Sequence, residues 1–232
     1  MIPFERLYGV AQDAIKKHCI ISPMNEVQAF SSCGISSEHK GVLFRVVQTE
    51  NASIIVPKMN LLAGDCVLGL RNTACRNIYL FGSCGAVESG LFAEIVLIKR
   101  SRNLESFTCM LQGNQRTGIC FPDKKLLKEF IAFSGLGFCA VDCATVNSVL
   151  LEEEYLPYFH SHGVRCVDME SSMVFSAAVH AGKRAVAVLY VSDSIRVKPF
   201  YTPLSGEDIR KVSSAKKHAA ELVCGYINAS KY

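Results

Sequence analysis

Three carboxylates in this chain stand just past the ends of apolar runs. Asp193 follows residues 185–191 (AVAVLYV) and Ser192. Glu170 follows residues 165–167 through Asp168 and Met169, and opens a helix-forming stretch. Glu26 follows Cys19-Ile20-Ile21 through Ser22-Pro23-Met24-Asn25. Ligands of α/β sheets bind at such strand ends, and acids placed there suit general acid–base chemistry. Asp193 closes the most apolar run. Burial there raises a carboxyl pKa and favours the protonated, donating form near neutrality. Each acid also has a plainer reading: a turn or N-cap aspartate for Asp193, a first-turn acid favoured by the helix dipole for Glu170, a solvated side chain for Glu26. A fourth strand end is Gly82-Ser83-Cys84-Gly85, after residues 77–81 (NIYLF). Its glycines permit close backbone approach, and Ser83 with the loop N–H groups suits an oxygen of a ligand or water. The plainer reading is a change of chain direction.

These residues need a scaffold, and the hydropathy pattern supplies one. Residues 4–17 carry apolar positions at helical spacing (Phe4, Leu7, Val10, Ala11, Ile15). Residues 19–21, 42–47, 53–56, 77–81, 94–98, 138–141, 165–167 and 185–191 read as strands. Residues 61–71, 123–133 (with Asp123 as N-cap), 169–181 (closed by Gly182) and 206–227 read as helices. Residues 101–122 read as a long surface excursion. Strands alternate with helices and no linker interrupts them. The expectation is one α/β domain over residues 1–232, a mixed, mostly parallel sheet flanked by helices, with residues 1–18 as an added N-terminal helix.

Composition narrows the function. Half of the 232 residues are hydrophobic and the formal net charge is +4, which excludes a disordered chain. No dense Lys/Arg block is present, so no nucleic-acid partner is expected. No run is long enough for a membrane span and no signal peptide opens the chain, so the expected location is cytoplasmic. Eleven scattered cysteines without a C-x-x-C pair argue against a structural zinc site and read as reduced core thiols. Cys84, inside the glycine turn, reads as a small residue where a ligand passes close.

Residues 167–193 (VDMESSMVFSAAVHAGKRAVAVLYVSD) and 82–100 (GSCGAVESGLFAEIVLIKR) together resemble the nucleoside phosphorylase and nucleosidase superfamily. The first resembles its Met-Glu helix, following strand and closing Ser-Asp. The second is similar to its glycine turn and next strand. The resemblance covers about residues 19–230. It implies a homodimer or larger oligomer that cleaves the N-glycosidic bond of purine nucleosides without metal or organic cofactor. Carried over by position, Asp193 protonates the purine, Glu26 is the base on water and Ser83 helps place that nucleophile. Glu170 holds the ribose hydroxyls and Met169 packs under the sugar. Thr145, Val146 and Asn147, after Ala144, line the purine pocket, Gly85 borders the substrate, and Phe200 and Leu204 cap the 5′ substituent.

The chemistry fits that assignment. Cleaving a C–N glycosidic bond builds a cationic, oxocarbenium-like sugar, and the leaving base needs a proton. One acid and one base are wanted, with a carboxylate near the cation. A phosphate nucleophile would ask for arginines. The segment after the first strand, SPMNE, offers an acid instead, so hydrolysis is favoured. Within the hydrolases, the Glu-to-Asp spacing suits the branch acting on methylthioadenosine and S-adenosylhomocysteine. Leu189, however, stands where that branch carries an arginine, and the motif before Glu26 is one residue shorter. The expectation therefore turns to the sister branch that hydrolyses futalosine or 6-amino-6-deoxyfutalosine in menaquinone synthesis. Arg196 and Lys198 would meet the 5′ carboxyphenyl group of such substrates, or stand as solvated loop charges. The alternatives are methylthioadenosine/S-adenosylhomocysteine hydrolysis, a purine nucleoside phosphorylase and a non-catalytic nucleoside-binding protein.

Overall fold

The computed structural model describes residues 3–104 and 118–230. Ten strands form one mixed sheet: β1 (His18–Ile21), β2 (Ile35–Lys40), β3 (Phe44–Thr49), β4 (Ala52–Pro57), β5 (Asn77–Ala86), β6 (Ile95–Asn103), β7 (Ile119–Cys120), β8 (Ala140–Thr145), β9 (Cys166–Asp168) and β10 (Arg184–Ser194). At its centre β10, β5, β1 and β4 run parallel. β3 and β2 extend it antiparallel at one end. On the other side β10, β6, β8, β9 and β5 pair in a ring, because β10 bonds both β5 and β6. The sheet is therefore a closed barrel with a flat extension. Closure removes edges that would otherwise leave backbone groups unpaired.

The helices among the described residues are α1 (Phe4–Tyr8), α2 (Ala63–Gly69), α3 (Lys124–Ser134), α4 (Leu156–Ser161), α5 (Ser171–Ala181) and α6 (Gly206–Ala229). Alternate residues of the central strands feed two cores. Ile78 and Leu80 pack with the α2 and α5 side, while Tyr79 and Phe81 pack with Leu126 and Phe130 of α3 and Ala219, Val223 and Ile227 of α6. Continuous burial on both faces explains why most of β10 reads as an unbroken apolar run, and β4 as one broken only by the buried Ser53. Asp123 accepts from the Leu126 N–H, and Ser205 caps α6 in the same way. Among the described residues, no helix is long and apolar enough to cross a membrane.

Several elements differ from their sequence reading. The N-terminal helix stops at Tyr8, because Gly9 takes φ 77 and lies against the Lys40–Gly41 backbone, where a Cβ would come within 2.7 Å. A short 3-10 turn at Gln12–Ala14 follows, and Val10 and Ile15 still bury. Gly82–Gly85 is not a turn. β5 runs through it to Ala86, paired to β10 along its length. β2 was invisible to hydropathy because its ISSEHK sequence is an exposed edge. The surface excursion proves to be strand at both ends, in β6 and β7, while residues 105–117 lie outside the described part. Cys33 and Cys224 form a disulfide, a correction to the all-reduced reading. Eight other described cysteines are buried, and Cys109 lies outside the described residues.

Candidate active site

The site is organised by β10. Along it Tyr190 pairs with Ser83 and Asp193 with Gly85, and a β-bulge falls between Val191 and Asp193. Residues three apart on a regular strand point to opposite faces. The extra residue of the bulge returns Asp193 to the face of Tyr190. The contact confirms this: a Cβ on Gly85 would sit 2.9 Å from Asp193 Oδ2. Glycine at position 85 is thus what lets the carboxyl lie flat against β5. Ser83 and Gly85 share that face, roughly 7 Å apart.

Glu26 reaches this face from the loop after β1. Its N–H donates to Ser22 Oγ at 3.0 Å. Asn25 before it takes φ 56, and its side chain accepts from Arg45. The Tyr190 hydroxyl donates to Glu26 Oε1, and Lys216 Nζ of α6 lies 3.5 Å from the same oxygen. Glu26 Oε2 is buried without a protein partner among the described residues. Burial, then the neighbouring Glu26 charge, pushes the Tyr190 phenol up, with Ser83 hydrogen-bonding to it in the opposite sense. Ser83, Tyr190, Glu26 and Lys216 therefore form one cluster.

Asp193 borders a small cavity of about 150 Å³ with Glu152, Leu150, Ile195, Phe200 and Tyr201. Burial raises its carboxyl, opposed by the Ser192 hydroxyl, which donates to Oδ1 at 2.6 Å. Glu152 is pushed up to about 7 by burial and by the charge of Asp193. Phe200 and Tyr201 are exposed and meet edge to face at 6.0 Å.

Glu170 is buried at the start of α5, and its carboxyl is pushed up to about 8 by burial first and the Asp168 charge second. Asn60 is its side-chain partner and also lies 3.7 Å from Met24 Sδ, so it links Glu170 to the Glu26 loop. Met169 is half-buried beside it. Asp168 is the anchor below: it accepts from the Ser171 N–H at 2.7 Å, the Ser171 hydroxyl at 2.9 Å and the Thr145 hydroxyl at 2.8 Å.

That anchor relocates two sequence assignments. Thr145 is fully buried, and its hydroxyl also accepts from the Ser172 N–H at 2.9 Å. It ties β8 to β9 and α5 rather than facing a pocket. Val146 is buried with Val87, Phe159, Val167 and Ile195, whereas Asn147 is exposed. Leu189 faces the α2–α5 core, on the side away from Glu26. Cys84 faces that same core beside Cys166, its thiol raised, and is packing rather than a ligand neighbour. Arg196 pairs with Glu153 at 3.4 Å, and Lys198 pairs with Asp208 and lies 4.2 Å over the Phe92 ring. Both cations are committed within the protein. Sequence reasoning did not assign Tyr190, Lys216, Glu152 or Asn60 to a site. The one hint was a phenol inside an otherwise aliphatic strand.

A barrel with an open extension, and carboxyls of raised pKa at the ends of its strands, describes an α/β protein with a candidate acid–base site. The chain belongs to the phosphorylase superfamily, whose family model matches residues 20–228. It is 23% identical over 185 residues to a DeoD-type 2 purine nucleoside phosphorylase of Photobacterium profundum, covering 78% of this chain and 75% of that protein. A second relative of the same description, from Vibrio parahaemolyticus, is 27% identical over 124 residues, 52% of each. The fold matches uridine phosphorylase from Vibrio fischeri ES114 with a TM-score of 0.77 at 15% identity, covering 95% of both chains.

Proposed function

We propose that the protein hydrolyses the N-glycosidic bond of a 5′-modified purine nucleoside. The observation that carries this reading is the bulge in β10, which brings Asp193 onto the face that holds Tyr190 and Glu26. Asp193, whose pKa is raised by burial, gives its proton to the purine as the C–N bond breaks. Water adds to the sugar carbon and loses its proton to the free oxygen of Glu26. Ser83 orients that water. Glu170 beside the sugar holds its hydroxyls. Burial and the Asp168 charge hold its carboxyl up near 8, so near neutrality it keeps its proton and meets those hydroxyls by hydrogen bonds.

The base is proposed to sit against Asp193 and Glu152. Phe200 and Tyr201 form an aromatic wall suited to an aryl 5′ substituent, which supports a futalosine-type nucleoside as the first candidate and methylthioadenosine as the second. Water rather than phosphate is supported by the charge of the cluster: its one ammonium, Lys216, is already paired to Glu26. Phosphorolysis is the second reading, favoured by the description of both curated relatives. Base release from aminofutalosine, methylthioadenosine, S-adenosylhomocysteine and inosine, with and without phosphate, separates them. Hydrolysis predicts free base without phosphate. Release only with phosphate establishes phosphorolysis, and nucleoside binding without any release would leave a binding protein.

A further inference from the structure

We infer that Lys216 and Tyr190 are positioning residues that orient Glu26 and leave one of its oxygens free to take a proton from the nucleophile. The inference rests on the hydrolytic reading above and extends it to α6. The Glu26 side chain is 12% exposed, so its charge is largely cut off from water and needs a partner. Both partners sit on one oxygen. Tyr190 donates a hydrogen bond to Oε1, and Lys216 supplies the countercharge to it at 3.5 Å. The other oxygen, Oε2, is buried with no protein partner among the described residues. A carboxylate held in this lopsided way cannot rotate without losing both contacts, so Oε2 keeps a fixed direction.

The two partners are themselves fixed from opposite sides. Tyr190 is buried in β10, packed on Phe81 with ring centroids 6.2 Å apart. Lys216 follows Ala215, which belongs to the stripe that buries α6 on the sheet, and its ammonium also lies 5.7 Å over the Tyr190 ring. Lys216 thus holds the carboxylate directly and the phenol that bonds it. Its side chain is 36% exposed, so a substitution there removes a charge without opening the core.

The test uses the full chain and whichever of the four nucleosides releases base fastest. Lys216→Met and Tyr190→Phe should each lower kcat about 10²-fold with KM changed less than about threefold. Lys216→Arg should restore most of the loss. In Glu26→Gln, adding Lys216→Met should cost nothing further, because the lysine acts through the carboxylate. A purely structural lysine would instead give the same loss in both backgrounds. Near-full kcat in Lys216→Met and Tyr190→Phe, with Glu26→Gln inactive, overturns this inference and leaves the hydrolytic reading standing. Full activity in Glu26→Gln, or no base release by the native chain, overturns the reading itself and the inference with it.

Discussion

At the scale of single residues, the candidate site holds its carboxyls out of water. Asp193 is the clearest case. As proton donor it must be a carboxyl, whereas its packing against Gly85 is satisfied equally by an amide. Asp193→Asn should therefore lower kcat/KM by several orders of magnitude, on the scale of lost acid catalysis, with the fold intact and the melting temperature not lowered. Near-full turnover would remove it from the proton-donor role. Glu170 makes a different prediction, about stability. Its carboxyl is raised from 4.5 to about 8, so between those values the folded chain holds a proton that the unfolded chain has released. Stability then falls as pH rises across that window and levels off above it. At about 1.4 kcal/mol per pKa unit the cost reaches a few kcal/mol. Glu170→Gln removes the titration. The variant should melt like the native chain near pH 4.5 and above it at pH 9, and equal melting at both would show that Glu170 does not hold its proton. That Asp193 would carry a raised pKa was legible from the sequence, since a carboxyl closing an apolar run has little water to turn to. Lys216 was not legible, because its partner is 190 residues away and no local pattern joins them.

At the scale of elements, what the chain needed was a way to fasten short pieces to the barrel. β9 has only three residues, and only two residues separate it from α5. The join is made by buried hydroxyls: Thr145 of β8 bonds Asp168, Ser171 and the Ser172 N–H, and Ser101 of β6 joins the same group. Thr145→Val keeps the shape and removes the hydroxyl, leaving Asp168 and a buried N–H short of partners. The expected loss is about 2–4 kcal/mol in chemical denaturation, and a loss under 0.5 kcal/mol would mean that the network repairs itself. The same network marks where sequence reading ended. The family resemblance carried Thr145 to the purine pocket. Only the arrival of β9 and α5 turned it inward. The glycines of β5 misled for a similar reason. Locally they suggest a turn, but β10 pairs with every residue from Asn77 to Cys84, and the ladder decides. Elements buried on both faces, such as β10, were read well because burial itself writes their composition. β2 was missed because it has no buried face to write one.

At the scale of the whole molecule, the distant ends of the chain meet over the site. The 3-10 segment Val27–Cys33 begins directly after Glu26, and α6 supplies Lys216. The Cys33–Cys224 disulfide ties these two elements across 191 residues of sequence. A crosslink over so long a loop acts mainly on the unfolded chain, whose ends it keeps together. Its contribution is expected at about 2–4 kcal/mol. Both cysteines are half-buried, so a phosphine reductant can reach them in the folded protein. Reduction should lower the melting temperature by several degrees. Cys33→Ser should melt at that same lower temperature and lose its response to reductant. If the native chain melted identically with and without reductant, the bond would carry no stability. The packing of Val27 and Phe30 with Ala219, Ala220 and Val223 would then be what holds the Glu26 segment against α6.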